Sequence, residues 1–136
     1  MAPIRMGFIG CGGNARGHIG RVLEMGECEV VSLCDSSEGS LQAACEHYGE
    51  NVEHLPRFVG YKEMLDSVEM DAVQISTPHT LHFEQIMASL DKGLHVLSEK
   101  PMVCTVDHAH QVIAKAEESG KVLMVSYQRH LGPQYR

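Results

Sequence analysis

Apolar residues along this chain follow two alternating patterns. Short runs that are apolar nearly throughout fall at Ile4 to Ile9, Glu29 to Cys34, Ala72 to Ser76, His95 to Ser98 and Val122 to Ser126, with a weaker one at Arg57 to Val59. Runs of this length with little polar alternation are expected of strands covered on both faces. Between them the spacing changes. Leu41, Ala44, Cys45 and Tyr48 recur at i, i+3, i+4 and i+7, as do Phe83, Ile86, Met87 and Leu90, and then Ala109, Val112, Ile113 and Ala116. Each stripe predicts a helix with one apolar face. Ile19, Val22 and Leu23 make a shorter stripe after the first run, and Tyr61 to Ser67 reads as a short helix. Gly26, Gly49, Gly93 and Gly120 stand where helices should stop, each expected to supply a left-handed C-terminal residue. Six strands alternating with helices predict an α/β fold, a doubly wound parallel sheet in a single domain.

The first strand runs into Gly10, Cys11, Gly12, Gly13, Asn14 and Ala15, a GxGxxA turn that opens a helix. Gly10 suits a tight turn, Gly12 lets a pyrophosphate approach bare backbone, and Ala15 permits close packing of helix on strand. The helix start offers free N–H groups and a partial positive charge to the phosphates. Asp35 ends the second strand 20 residues after Ala15, where an acid receives the adenosine ribose hydroxyls. That pairing predicts a Rossmann sheet in the order 3-2-1-4-5-6 and a nicotinamide dinucleotide as ligand. A carboxylate at 35 favours NAD, since it repels a 2′-phosphate; Ser36 and Ser37 leave NADP open. A glycine turn selected for packing alone, and a methyltransferase, are the competing explanations of the same pattern.

Composition narrows the partners. The chain has 136 residues, a formal charge of −7 and 43% hydrophobic content, enough for one domain with a buried core and too little for a second full one. The acidic balance disfavours binding to nucleic acid or to anionic membrane surfaces. No stretch approaches the roughly 20 apolar residues of a membrane span, and the N-terminus lacks the shape of a secretory leader. The five cysteines, Cys11, Cys28, Cys34, Cys45 and Cys104, fall in no CxxC or zinc-like spacing and read as reduced thiols, so a cytoplasmic location is expected. Cys11 reads as a small packing residue rather than a nucleophile.

Two further segments carry chemistry. The fourth strand continues through Ser76, Thr77, Pro78, His79, Thr80, Leu81 and His82, and the fifth through Ser98, Glu99, Lys100 and Pro101. Together with the opening turn and the closing Tyr127, Gln128 and Arg129, these segments closely resemble the Gfo/Idh/MocA oxidoreductase family, named for glucose-fructose oxidoreductase and inositol dehydrogenase. The resemblance runs from about Ile4 to the last residue. Its most specific element is Glu99, Lys100 and Pro101 after a short apolar strand.

The resemblance implies a set of roles. Gly10, Gly12, Gly13, Asn14, Ala15, Asp35 and Ser36 would hold the adenosine and phosphates. Ser76, Thr77 and Pro78 would lie beside the cofactor's middle, with His79 and His82 at the next helix start, one capping it and the other facing the crevice. Glu99 and Lys100 would border the nicotinamide, Lys100 as the catalytic cation, and Gln128 would supply a polar contact on that side. Pro101 would fix the chain as it leaves the strand. A metal role for His79 and His82 lacks a third partner, so no metal is expected. His108 and His110 are expected in solvent. Lys100 could instead be a surface lysine paired to Glu99, and Arg129 is open between chemistry and a domain junction.

The implied activity is hydride transfer between nicotinamide and a secondary alcohol of a sugar, cyclitol or related polyol. Catalytic members of the family continue into a second α/β domain that carries the substrate pocket. Residues 1–126 are therefore expected to form the dinucleotide-binding domain and 127–136 the start of a junction to a substrate domain absent from this chain. As a fragment, the chain should bind cofactor yet turn over poorly. A sheet face left uncovered would favour self-association into a homo-oligomer. A non-catalytic dinucleotide-binding regulator or interaction module is the alternative.

Overall fold

The computed structural model describes residues 2–131 and Pro133. Its strands are β1 (Ile4–Ile9), β2 (Cys28–Cys34), β3 (Arg57–Phe58), β4 (Ala72–Ile75), β5 (His95–Ser98) and β6 (Leu123–Val125). They form one parallel sheet in the order β3-β2-β1-β4-β5-β6, as the alternating pattern predicts. The helices are α1 (Gly13–Glu24), α2 (Glu38–Tyr48), α3 (Tyr61–Ser67), α4 (His82–Asp91) and α5 (Val106–Ser119).

Strand parity sorts the core into two layers. Ile9, Val73, Ile75 and Val96 point to one face and pack with Met64, Ile86, Leu90 and Val112 from α3, α4 and α5. Phe8 and Leu33 point to the other and pack with Ile19, Val22, Leu41 and Ala44 from α1 and α2. Two covered faces explain why the central strands read as continuous apolar runs. Because α1 and α2 both lie over the first half of the sheet, Leu97 and Met124 on β5 and β6 border an open hollow of about 590 Å³, and Met124 is half exposed.

Local chemistry sets the ends of the helices. Ser37 caps α2 by accepting from the Ser40 amide at 3.3 Å, and Thr105 caps α5 by accepting from the His108 amide at 3.2 Å. Gly120 closes α5 in the left-handed region with φ 65°, and Gly49 and Gly93 also have positive φ. Gly26 does not: α1 stops at Met25 in an extended conformation, so the left-handed stop expected there is corrected. Ile113 is likewise exposed although it belongs to the apolar stripe of α5; only Val112 of that stripe is fully buried. β6 is shorter than the run from Val122 to Ser126: at its start the Val122 amide donates to the His95 side chain at Nδ1 rather than to a backbone carbonyl of β5. Among the described residues no helix is long and apolar enough to cross a membrane.

Candidate functional site

All six parallel strands point their carboxyl ends at one edge, and ligands of open α/β sheets bind in the crevice along it. There the chain leaves β1 through Gly10, whose φ of +96° only glycine adopts freely. A Cβ on Gly10 would stand 2.7 Å from the Ser76 carbonyl carbon and oxygen, so the loops after β1 and β4 touch at this point. Gly12 is different. Its backbone is extended, a Cβ there would meet nothing within 4 Å, and it is the N-cap of α1 with no side-chain cap bond. The start of α1 therefore presents unpartnered amides to open space.

Asp35 secures this turn. One carboxylate oxygen accepts from the Cys11 amide at 2.8 Å and the other from the Ser37 amide at 2.8 Å. The acid that follows β2 is thus tied to the glycine turn while it lines the same crevice. That crevice is a cavity of about 330 Å³, which Gly10, Gly12, Asp35, Ser36, Ser76, Thr77 and Pro78 help to line. Val59, Tyr61 and Leu81 add an apolar wall that the motifs did not indicate. Gln85 adds a polar group that accepts a hydrogen bond from the Thr77 hydroxyl. Cys11 lies inside the turn but is buried. Burial and the neighbouring Asp35 push its thiol up to about 12, so it is inert as a nucleophile, as its reading as a packing residue anticipates.

His79 and His82 depart from expectation. Neither histidine caps a helix through its side chain. His82 is fully buried, with Nδ1 2.8 Å from the Pro101 carbonyl oxygen and Nε2 3.0 Å from that of Thr77. It ties the loop after β4 to the loop after β5 and does not face the crevice. His79 is exposed and lies outside the lining of the 330 Å³ cavity. His108, expected in solvent, stacks on Phe83 with ring centroids 3.8 Å apart, whereas His110 is exposed.

The other end of the crevice follows β5. Glu99 is buried, and its Oε2 accepts from the Lys100 amide and from Lys100 Nζ, each at 3.2 Å. Lys100 Nζ also reaches Gln128 Oε1 at 3.4 Å, and the Lys100–Pro101 peptide is cis. A residue absent from the motifs completes the group: His18 Nε2 lies 2.7 Å from Glu99 Oε1. Burial alone would push the Glu99 carboxyl up. The bonds from His18 and from Lys100, with the Asn14 side chain adding to them, hold it down at about 2. A carboxylate held ionised therefore sits beside a half-exposed ammonium just past the carboxyl end of β5, on the same sheet edge but outside the lining of the 330 Å³ cavity. Arg129 is exposed in the short 3-10 turn Gln128–Leu131, and Gly132 and residues 134–136 of the expected junction lie outside the described residues.

Comparison with known proteins agrees with this geometry. The model of the Gfo/Idh/MocA oxidoreductase family, NAD-binding Rossmann fold, matches residues 4–127. D-glucoside 3-dehydrogenase of Escherichia coli is 32% identical over 128 residues, covering 93% of this chain and 35% of that protein. Alpha-N-acetylgalactosaminidase of Shewanella oneidensis is 28% identical over 130 residues, covering 92% and 28%. The WlbA dehydrogenase of Bordetella pertussis, crystallised with NADH and UDP-GlcNAcA, superposes with a TM-score of 0.89 at 30% identity, over 98% of this chain and 40% of that one. The chain thus spans about a third of the length of these relatives.

Proposed function

This chain belongs to the Gfo/Idh/MocA oxidoreductase family, and from that premise we propose that it forms the cofactor half of an enzyme transferring hydride between nicotinamide and a secondary alcohol of a sugar, cyclitol or related polyol. The observation that carries this is the pairing, along one sheet edge, of an open glycine turn locked by Asp35 with a buried carboxylate that seats Lys100. The residues fit a dinucleotide. Gly12 leaves the approach to the α1 amides clear, Asp35 and Ser36 line the adenosine end, and Ser76, Thr77 and Pro78 line the middle. NAD is the favoured cofactor, because the carboxylate at 35 repels an added 2′-phosphate.

When bound, the nicotinamide supplies the acceptor or donor of hydride. The chain's own residues manage charge and protons beside it. Lys100 Nζ carries a proton just past β5 and stabilises oxyanion charge developing on the substrate hydroxyl. Glu99 stays ionised and keeps the ammonium in place, and Gln128 holds its other side. The substrate pocket is assigned to the remainder of the polypeptide, so the 136-residue chain alone is expected to bind cofactor and turn over poorly. The open hollow over Leu97 and Met124 supports self-association of the isolated chain, which sedimentation at rising concentration would reveal.

A second reading has the galactosaminidase relative in its favour: the same cofactor site serves net glycoside hydrolysis. A panel of polyols, free sugars and glycosides, offered with NAD to the full-length protein, tests both. Accumulation of NADH in step with a ketone product supports the dehydrogenase. Glycoside cleavage without NADH supports the hydrolase. Cofactor binding with neither product would point to a non-catalytic module and count against both.

A further inference from the structure

Among the described residues, α1 presents Asn14 and His18 one turn apart, and positions i and i+4 share a helix face. Side chains on a helix lean toward its N-terminus, which here is the end at the crevice. Both residues act on Glu99, 81 positions away from His18 in the chain. The two oxygens of this carboxylate are divided: Oε1 faces His18 Nε2 at 2.7 Å, and Oε2 takes both bonds from Lys100. The His18 and Glu99 side chains are only 11% and 7% exposed, so water cannot readily replace either partner, whereas Lys100 is 42% exposed and, among the described residues, has only the longer contact to Gln128 as a second anchor.

We propose that His18 is a positioning residue: by holding Oε1 from α1, it fixes the Glu99 carboxylate in the rotamer that presents Oε2 to Lys100, and so couples the helix bearing the phosphate turn to the ammonium just past β5. The inference rests on the reading of Lys100 given above for its catalytic meaning, but not for its structural content. Without a donor at 18, buried Oε1 loses its shortest hydrogen bond, which favours either protonation of the carboxyl or rotation toward solvent. Both remove the acceptor that seats Lys100 Nζ. A glutamine at 18 has similar reach and an N–H to give, so it should restore most of the effect, whereas asparagine falls short and leucine offers no donor.

Glu99 and Lys100 can be followed in the isotopically labelled 136-residue chain by NMR, with no substrate or cofactor present. In the wild type the Glu99 carboxyl should stay ionised far below the ordinary carboxylate range. In His18→Leu it should titrate at least about ten times more readily, equivalent to one pH unit, while His18→Gln stays near the wild type. Should the leucine variant fail to fold, His18→Asn against His18→Gln gives the same contrast. A Glu99 titration that is ordinary in the wild type, or unmoved in His18→Leu or His18→Asn with the remaining amide spectrum native, would overturn the proposal. Neither result depends on turnover, so the assignment of the activity can fail separately. In the full-length enzyme, His18→Leu should lower kcat about tenfold with little change in cofactor affinity, and His18→Gln should recover it.

Discussion

The two ends of the crevice are held by different means. At the glycine end, the shape is made by backbone: a positive-φ glycine against the Ser76 carbonyl, bare amides at the start of α1, and one carboxylate bonded to the Cys11 and Ser37 amides. At the lysine end, side chains from α1, the loop after β5 and the 3-10 turn at Gln128 meet around one buried carboxylate. Backbone geometry tolerates few residue types, so the first end leaves a mark in the local sequence. A side-chain cluster needs only compatible partners, and its members can lie anywhere in the chain. The first end should therefore fail through folding and ligand fit, and the second through charge and proton chemistry.

The largest effect expected is at Gly10. Gly10→Ala places a Cβ 2.7 Å from backbone atoms of Ser76 at a φ that L-residues rarely adopt, and a loss of about 2–4 kcal/mol is expected in chemical denaturation. A variant as stable as the wild type would break the claim that the loops after β1 and β4 are in tight contact. At the other end, Lys100→Met should leave stability nearly unchanged, because the side chain is half exposed. It should lower turnover of the full-length enzyme about 100-fold; normal turnover would reduce Lys100 to a surface partner of Glu99.

Asp35→Ala comes next. It removes the proposed ribose acceptor and frees two amides, so NAD affinity should fall about tenfold, a loss of about 1.4 kcal/mol, with NADP much less affected. An unchanged preference between the two cofactors, measured by parallel titrations, would remove the argument for NAD. Smaller still is the acid response of the lysine end. The Glu99 carboxyl is held at about 2, below its ordinary 4.5, so its contribution to stability is complete above about pH 4.5 and is lost as pH falls toward 2. Denaturation midpoints at about pH 5 and about pH 3 should differ less in Glu99→Gln than in the wild type. Asp71, held at about 2 first of all by its hydrogen bond to Arg5, titrates in the same window. It is well exposed and screened by solvent, so an Asp71→Asn background isolates Glu99. Last, exposed Cys104 should alkylate readily at neutral pH while buried Cys11 resists, which peptide mass mapping would show.

The sequence carried more of the scaffold than of the lysine end. β1 and β5 have the bounds their apolar runs predict, and β3, only two residues long at the sheet edge, was still marked by Arg57 to Val59. The turn and Asp35 were legible because their spacing is local and imposed by backbone. His18 was not, since its partner is 81 positions away. The only local sign was a pair of polar residues, Asn14 and His18, at helical spacing. Val59, Tyr61, Leu81 and Gln85 reach the crevice from loops and helix starts whose direction no periodicity encodes. His82 shows the opposite error: a histidine beside a predicted ligand edge reads as a contact, yet both its ring nitrogens face carbonyl oxygens of the loops it joins.

The turn between Gly10 and Ala15 is the proposed seat of the dinucleotide. Fluorescence titration of the 136-residue chain with NADH, beside a Gly12→Val variant, addresses this directly. Gly12 has open space around its Cβ position, so the variant should fold. Saturable binding by the wild type and its loss in a folded Gly12→Val is the result predicted. No saturable signal at millimolar NADH, or equal binding by the two proteins, would contradict it.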